Sequence, residues 1–172
     1  MKPAPPVIRA ARDADAPEIA AIYGYYVRTA LATFETDPPD AAEMLHRLHL
    51  VADRGLPCLV AELEGCVAGY AYAAPYRPRP AYRFTVENSV YVHPDRQRMG
   101  LGRLLLTELI AVCEAAGSRQ MVAVIGDSAN VASIGLHEAL GFRRVGVLLN
   151  VGFKSGRWVD TVLMQRPLGD GR

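Results

Sequence analysis

Gln97-Arg98-Met99-Gly100-Leu101-Gly102 is a glycine-rich segment that joins two stretches of different periodicity. It follows an apolar run rich in β-branched residues, 89–92, and a turn at 93–95, and it leads into a helical pattern from Leu104 to Ala116. The first N–H groups of a helix have no intrahelical partner, and the helix dipole adds partial positive charge there. A strand, a glycine-rich turn and a helix in this order therefore predict a phosphate-binding site.

The side chains of this turn agree with an anionic ligand. Gly100 and Gly102 lack a Cβ, which allows a ligand to approach the main chain closely. Arg98 and Arg103 flank the turn and can add charge-assisted hydrogen bonds.

Three other interpretations of the segment compete with the phosphate site. A Walker A loop ends in Gly-Lys-Ser/Thr, whereas Gly102 is followed by Arg103-Leu104. A dinucleotide fingerprint needs a third glycine, and Leu105 stands in its place. An ordinary strand-to-helix turn with two glycines stays open on spacing alone.

Further segments in the same order along the chain carry a recognisable pattern. They are Tyr82-Arg83-Phe84-Thr85-Val86-Glu87-Asn88-Ser89-Val90-Tyr91-Val92, Val122-Ala123-Val124-Ile125-Gly126, Asn130-x-x-Ser133, His137-Glu138-Ala139-Leu140-Gly141-Phe142 and Gly152-Phe153-Lys154-x-Gly156-x-Trp158-x-Asp160. Together with Gln97-x-x-Gly100-x-Gly102 they resemble the GCN5-related N-acetyltransferases. The resembling branch is that of the phosphinothricin and methionine sulfoximine/sulfone N-acetyltransferases, and the resemblance covers residues 7–167.

The sequence predicts one α/β domain over residues 7–167, with flexible termini at 1–6 and 168–172. Hydrophobic periodicity gives the order strand, two helices, a β meander and then βαβαββ, with seven strands in all. The resemblance implies the GNAT-type acyl-CoA N-acyltransferase fold, a mixed and mostly antiparallel central sheet with helices on both faces. It also implies that the sheet is splayed in the middle, with a β-bulge at the splay.

Composition limits the possible partners. The net charge of +1 gives no general attraction to nucleic acid or to an anionic membrane. No apolar run reaches the roughly 20 residues of a membrane span, and the N-terminus lacks the apolar core of a signal peptide. Cys58, Cys66 and Cys113 are an odd number without C-x-x-C spacing, so we expect small buried thiols in a reducing cytoplasm.

Polar residues at the helix ends predict caps rather than metal ligands. Asp15 and Asp40 each stand at a helix start with a glutamate three residues later, which is the capping-box spacing. His46 and His49 on the second helix have no obvious third ligand, so we expect a solvated face and no metal.

Glu87 and His137 are the candidate catalytic residues. Glu87 lies in an otherwise apolar strand, so a raised pKa suitable for a general base is expected, although strand alternation also allows a solvent-facing position. The resemblance implies that Glu87 is the base, acting through a water. His137 stands where the wider superfamily carries a proton-donating tyrosine, so it either protonates the leaving thiolate or orients the cofactor.

The resemblance implies acetyl-CoA as the acyl donor. Backbone groups of Val90, Tyr91 and Val92 are expected to bind its pantetheine arm. The turn is expected to hold its pyrophosphate through Gln97, Arg98, Met99, Gly100, Leu101, Gly102 and Arg103. Asn130 and Ser133 are expected at the pantetheine, with a helix cap as the alternative role of Asn130.

The candidate acceptor residues are Phe34, Arg77, Arg79 and Tyr82, together with Glu87. An arginine before the Glu87 strand can grip a substrate carboxylate in bidentate fashion, and plain solvent exposure is the alternative. Phe34 lies in the loop that closes over the acceptor in the resembling family, or else it anchors that loop. Trp158 and Asp160 are expected to be structural.

The predicted activity is acetyl transfer to the α-amine of a small amino-acid analogue such as phosphinothricin, methionine sulfoximine or methionine sulfone. The resemblance also implies a homodimer with each site near the interface. Two alternatives stay open, namely a protein N-terminal or polyamine acetyltransferase and a non-catalytic acyl-CoA sensing module.

Overall fold

The computed structural model describes residues 5–171. Its strands are β1 (Val7–Ala10), β2 (Cys58–Leu63), β3 (Cys66–Pro75), β4 (Thr85–Val92), β5 (Gln120–Gly126), β6 (Arg143–Lys154) and β7 (Arg157–Pro167). Its helices are α1 (Ala16–Thr29), α2 (Ala41–Ala52), α3 (Leu101–Ala115) and α4 (Val131–Ala139). The predicted order of elements is confirmed.

The strands form one sheet in the order β1-β2-β3-β4-β5-β7-β6. The pair β4–β5 is parallel and the other pairs are antiparallel, as expected. β4 and β5 pair only from Thr85–Gln120 to Asn88–Ala123, whereas β4 stays paired with β3 as far as Val92. The two central strands therefore separate after Asn88, which confirms the predicted splay.

The implied bulge in β4 is wrong. The β3–β4 ladder runs in continuous register from Gly69–Val92 to Pro75–Val86. The gap opens because β5 continues beside β7 alone from Val124 onwards. A divergence of two strands, rather than an extra residue in one, creates the opening.

Two apolar clusters hold the layers together. α3, α4 and the sheet enclose a cluster that includes Leu105, Leu109 and Met121, which are fully buried. On the other face, α1 and α2 pack on β2 and β3 through residues such as Ile19 and Ile22. The sheet is thus covered on both faces, which fixes the position of the gap between the helical layers.

Several predicted details need correction. α3 begins at Leu101 rather than Leu104. The apolar pattern predicts a strand from Phe142 to Leu149, whereas β6 extends to Lys154. Leu168, outside the predicted domain boundary, is 1% exposed in the core and donates its N–H to Arg119 O at 2.9 Å. Cys66 is exposed because it lies at the hairpin between β2 and β3. Residues 1–4 and 172 of the predicted flexible termini lie outside the described range.

The two predicted helix caps behave differently. Asp40 accepts the Glu43 N–H at 2.8 Å and caps α2 as predicted. Asp15 instead receives two hydrogen bonds from the Arg9 guanidinium, at 2.7 and 2.9 Å, and one from the Arg12 N–H. Its carboxylate thus ties β1 to the start of α1 instead of capping the helix.

Within residues 5–171, no helix is both long and apolar enough to cross a membrane. In the same part of the chain, no three histidine, cysteine or acidic side chains are grouped as metal ligands. His46 and His49 lie on α2, and His49 Nε2 is 3.0 Å from Asp13 Oδ1.

Candidate active site

A cleft of about 620 Å³ occupies the gap between β4 and β5. Residues from both helical layers line it, including Tyr26 and residues 30–32 after α1, and Leu136 and His137 on α4. The cleft therefore passes along the opening in the sheet and reaches the N-terminus of α3. The structure brings most of the predicted cofactor residues to its wall: Val90, Tyr91, Val92, Gln97, Arg98, Gly100, Leu101, Gly102, Arg103, Asn130 and Ser133.

The turn before α3 leaves helix amides available to a ligand. Gly100 occupies the N-cap position with φ +79°, a left-handed conformation that glycine adopts without a Cβ penalty. Gly100 O accepts the Leu104 N–H at 3.1 Å, so the N–H groups of Leu101, Gly102 and Arg103 have no intrahelical partner. Leu101, Gly102 and Arg103 also line the cleft. Met99 is exposed and is absent from the cleft lining.

Strand alternation decides which groups of β4 are available. His93 N donates to Ala68 O, so the odd-numbered residues of this strand direct their backbone N–H and C=O groups toward β3. Tyr91 shares that parity, and its backbone groups are therefore engaged with β3. Val90 has the opposite parity and directs its N–H and C=O into the gap. Of the three predicted strand residues, Val90 is the one best placed to bind a pantetheine arm.

Tyr26 lines the cleft but was not among the site residues predicted from the sequence. Its hydroxyl donates to Val92 O at 2.5 Å and accepts from Gln97 Nε2 at 3.1 Å. Tyr26 therefore joins α1 to the end of β4 and to Gln97. The Val92 carbonyl already accepts a hydrogen bond within the protein. The apolar spacing of Ile19, Ile22, Tyr23 and Tyr26 is typical of a buried helix face, and it gives no signal for these hydrogen bonds.

Asn130 serves as a helix cap, the alternative considered from the sequence. Its Oδ1 accepts the Ser133 N–H at 3.2 Å at the start of α4. Its Nδ2 lies 3.4 Å from Gly126 O on β5. Asn130 and Ser133 thus form part of the cleft wall through a capped helix start.

His137 is buried and held at both ring nitrogens. Nδ1 lies 2.8 Å from Ser133 O, which can only accept, so Nδ1 carries the proton. In the neutral ring Nε2 is then an acceptor, and Asn88 Nδ2 donates to it at 2.9 Å. Burial lowers the pKa of His137, opposed by the Ser133 carbonyl, and so favours this neutral form.

Glu87 and Asn88 leave β4 on opposite faces, as neighbours on a strand must. Asn88 contacts His137 of α4, so Glu87 points to the face that α1 and α2 partly cover. Glu87 is half-buried, and burial raises the pKa of its carboxyl against the lowering effect of the Arg77 charge. The raised pKa predicted from its apolar neighbours is present.

The predicted acceptor residues divide into two groups. Arg77 acts on Glu87 through its charge, and its guanidinium lies 5.0 Å above the Tyr76 ring, which in turn contacts Tyr82 at 5.8 Å. Arg79 is exposed at the start of a 3₁₀ turn. Phe34 lies against Gly126 at the end of β5 and against Gly152 in β6.

Trp158 and Asp160 differ from one another. Asp160 accepts hydrogen bonds from Asn150 N at 3.0 Å and Ser128 Oγ at 2.8 Å, so it is structural as expected. Trp158 is 63% exposed and contacts Phe153 with ring centroids 5.2 Å apart. It therefore lies on the surface of the β6–β7 hairpin rather than in the core, and its structural role stays a prediction.

A sheet opened between two strands, with free helix amides at one end and a half-buried carboxylate beside the opening, defines an acyl-CoA-dependent acyltransferase. The profile of the Acetyltransferase (GNAT) family matches residues 19–142, and the chain belongs to this family. It is an acetyl-CoA-dependent N-acetyltransferase.

Relatives extend the match over nearly the whole chain. A phosphinothricin N-acetyltransferase from Alcaligenes faecalis is 58% identical over 164 residues, which are 95% of this chain and 83% of the relative. An L-methionine sulfoximine/L-methionine sulfone acetyltransferase from Pseudomonas aeruginosa is 44% identical over 166 residues, 96% of each chain.

A solved structure shows the same fold with the donor bound. It is a GNAT superfamily phosphinothricin acetyltransferase from Sinorhizobium meliloti in complex with acetyl-CoA. It has a TM-score of 0.93 and 48% identity, and the match covers 96% of this chain and 90% of that one. The free amides of α3 and the main chain of Val90 fit the pyrophosphate and the pantetheine arm of this donor.

Proposed function

We propose that the protein acetylates the α-amine of a small amino-acid analogue of the phosphinothricin and methionine sulfoximine/sulfone class. The observation that carries this proposal is the half-buried Glu87 carboxyl on β4, whose pKa is raised by burial and lowered by the nearby charge of Arg77. An amine acceptor needs a base, and an amino acid needs a cation for its carboxylate. The activities named for the two relatives support the same class of acceptor.

Glu87 takes a proton from the attacking amine, directly or through a water. Burial places its pKa nearer to neutrality, where a carboxylate is a more effective base. Acetyl-CoA, when bound, supplies an activated acetyl group. Carbon–nitrogen bond formation and carbon–sulfur bond cleavage give an acetamide and the CoA thiolate. The Val90 N–H points into the gap and can stabilise the charge that develops on the thioester oxygen.

We assign His137 a positioning role rather than that of general acid. Its Nδ1 proton is donated to Ser133 O and its Nε2 already accepts from Asn88. Neither nitrogen therefore holds a proton ready for the leaving sulfur. A thiol with a pKa of about 8.5 leaves readily as a thiolate, so strong acid assistance is unnecessary.

The experiment is a thiol-release assay with acetyl-CoA against phosphinothricin, methionine sulfoximine, methionine sulfone, a polyamine and short peptides. Glu87→Gln should lower kcat about 10²-fold with the Kd of acetyl-CoA unchanged. Glu64→Gln, an exposed carboxylate in the β2–β3 hairpin, is the matched control. Preference for the polyamine or peptides would assign the rival acceptor class, and normal turnover by Glu87→Gln would remove the proposed base.

We also propose a homodimer in the cytoplasm. β6 is the last strand of the sheet and exposes apolar side chains, of which Leu149 is 69% and Val151 is 53% exposed. An edge strand with this surface is normally covered by another chain, and a second copy gives a closed two-fold interface. Leu149→Asp should give monomers in analytical ultracentrifugation, whereas Val7→Asp on the opposite edge should leave the mass unchanged.

A further inference from the structure

A buried lysine at the end of β6 holds the loop between α1 and α2. Lys154 is 6% exposed. Its Nζ donates to Ala30 O at 2.8 Å and to Thr33 O at 2.7 Å. These contacts join segments more than 120 residues apart. They attach residues 30–40, which we call the acceptor loop, to the far edge of the sheet.

The partners of Lys154 suit a cation. Ala30 is the C-cap residue of α1, where the helix dipole is negative and carbonyl groups lack helical partners. Burial lowers the pKa of Lys154, and the charge of Glu35 opposes this effect. Because burying a charge is costly unless it is paired or hydrogen-bonded, the two carbonyls and Glu35 explain why an ammonium is tolerated here.

The same loop places Phe34 over the end of β5 and over β6. The Phe34 ring covers Gly152, where an added Cβ would lie 2.5 Å from Phe34 Cε2. The ring also contacts Gly126, where an added Cβ would lie 3.2 Å from Phe34 Cε1. Gly152 and Lys154 are two residues apart on one strand and share a face. The ring and the ammonium group therefore fasten adjacent parts of the loop to the same side of β6.

Within residues 5–171, the other hydrogen bonds of the loop reach only the helical layer. Tyr23 Oη donates to Glu35 Oε1 at 2.8 Å, and Arg47 of α2 binds the same carboxylate at 2.7 and 3.2 Å. Ala30 N also donates to Tyr26 O at 3.0 Å. Loss of the ammonium group would thus remove the hydrogen bonds that join the loop to β6 and leave packing against Gly126 and Gly152, while Ala30 keeps its own hydrogen bond to Tyr26.

We propose that Lys154 is a positioning residue. It fixes Phe34 of the acceptor loop over Gly126 and Gly152, beside the cleft where the acceptor amine binds. This inference rests on the proposed function for the identity of the acceptor. Lys154 itself contacts no reacting group, and its effect passes through the loop backbone.

The test compares Lys154→Met with Arg157→Met, which removes a cation from the exposed end of the same hairpin. For Lys154→Met we expect the acceptor KM to rise at least tenfold and the acetyl-CoA KM to change less than threefold. Hydrogen exchange should accelerate in residues 31–36. Arg157→Met should match the parent protein in all three measurements.

A second variant guards against misfolding. Lys154→Gln keeps amide donors without the charge and should shift the same quantities in the same direction by a smaller factor. Unchanged acceptor KM and loop exchange in a folded variant would overturn the role of Lys154. If no amine in the panel is acetylated, the proposed function fails. Faster hydrogen exchange in the acceptor loop of Lys154→Met, with retained acetyl-CoA binding, would still support the role of Lys154 in holding the loop.

Discussion

Replacing Gly100 or Gly102 by alanine makes the same chemical change at two positions that the structure distinguishes sharply. Gly100 has φ +79°, where an L-residue costs about 1–2 kcal/mol. Gly102 lies in the first turn of α3, and an added Cβ would meet Leu136 Cδ2 at 3.4 Å, an ordinary contact. Alanine in a helix gains about 0.5–1 kcal/mol over glycine. The two variants should therefore change stability in opposite directions.

The expected shifts are measurable in the protein without ligand. For a chain of this size, 1 kcal/mol corresponds to about 2–4 °C in Tm. Gly100→Ala should lower Tm by about 2–8 °C, and Gly102→Ala should raise it by about 1–4 °C. Differential scanning calorimetry with matched buffers gives both values. Equal shifts, or a more stable Gly100→Ala, would refute the left-handed turn.

Ligand affinity provides the second half of this prediction. The strain in Gly100→Ala is relieved by rotating the turn, which moves the Leu101 and Gly102 amides away from the phosphate position. Acetyl-CoA affinity should then fall about tenfold, equivalent to about 1.4 kcal/mol. Gly102→Ala should lose less, because its backbone is unstrained. Titration calorimetry measures both, and equal affinities for all three proteins would show that these amides do not bind the donor.

Two further predictions concern pH. Arg77→Gln removes a charge that lowers the pKa of Glu87, so this pKa should rise. The acid limb of the kcat/KM profile should then move to higher pH. An unchanged acid limb would show that Arg77 does not influence the pKa of the base. Asp15 has its pKa lowered, chiefly by the Arg9 hydrogen bonds, so its stabilising effect is full above its unfolded pKa and is lost as pH falls through the folded value. Asp15→Asn should lower the free energy of unfolding at pH 7 by about 2 kcal/mol, and denaturation at pH 7 and pH 3 should show the difference shrinking in acid.

Hydrophobic periodicity was sufficient for the order of the elements but not for the ends of β6. Asn150 adopts φ +55°, and the β6–β7 register shifts between Leu148 and Gly152. A polar residue and a glycine within a strand look like a turn in the sequence. The Asp160 carboxylate accepts the Asn150 N–H and stabilises this irregular part of the ladder, so the strand continues past the predicted end.

Local sequence was sufficient to predict a glycine turn with free amides at the start of α3, because this geometry is local. The free amides follow directly from the glycine turn and the helix start. By contrast, the contacts of Asn88 with His137 and of Lys154 with Thr33 join residues 49 and 121 positions apart. One signal for Asn88 was available, since it is a polar residue between the apolar Val86 and Val90. Its partner depends on how α4 packs on the sheet, which no spacing rule gives.

Burial shifts the pKa values of the two titratable groups of the site in opposite directions. It raises the pKa of the Glu87 carboxyl and lowers that of the His137 imidazole, because in both cases it disfavours the charged form. Under the proposed mechanism only Glu87 changes its protonation state during the reaction. The two groups lie on opposite faces of β4, separated by the strand itself. In that mechanism the strand separates the carboxyl that accepts a proton from the imidazole that stays neutral.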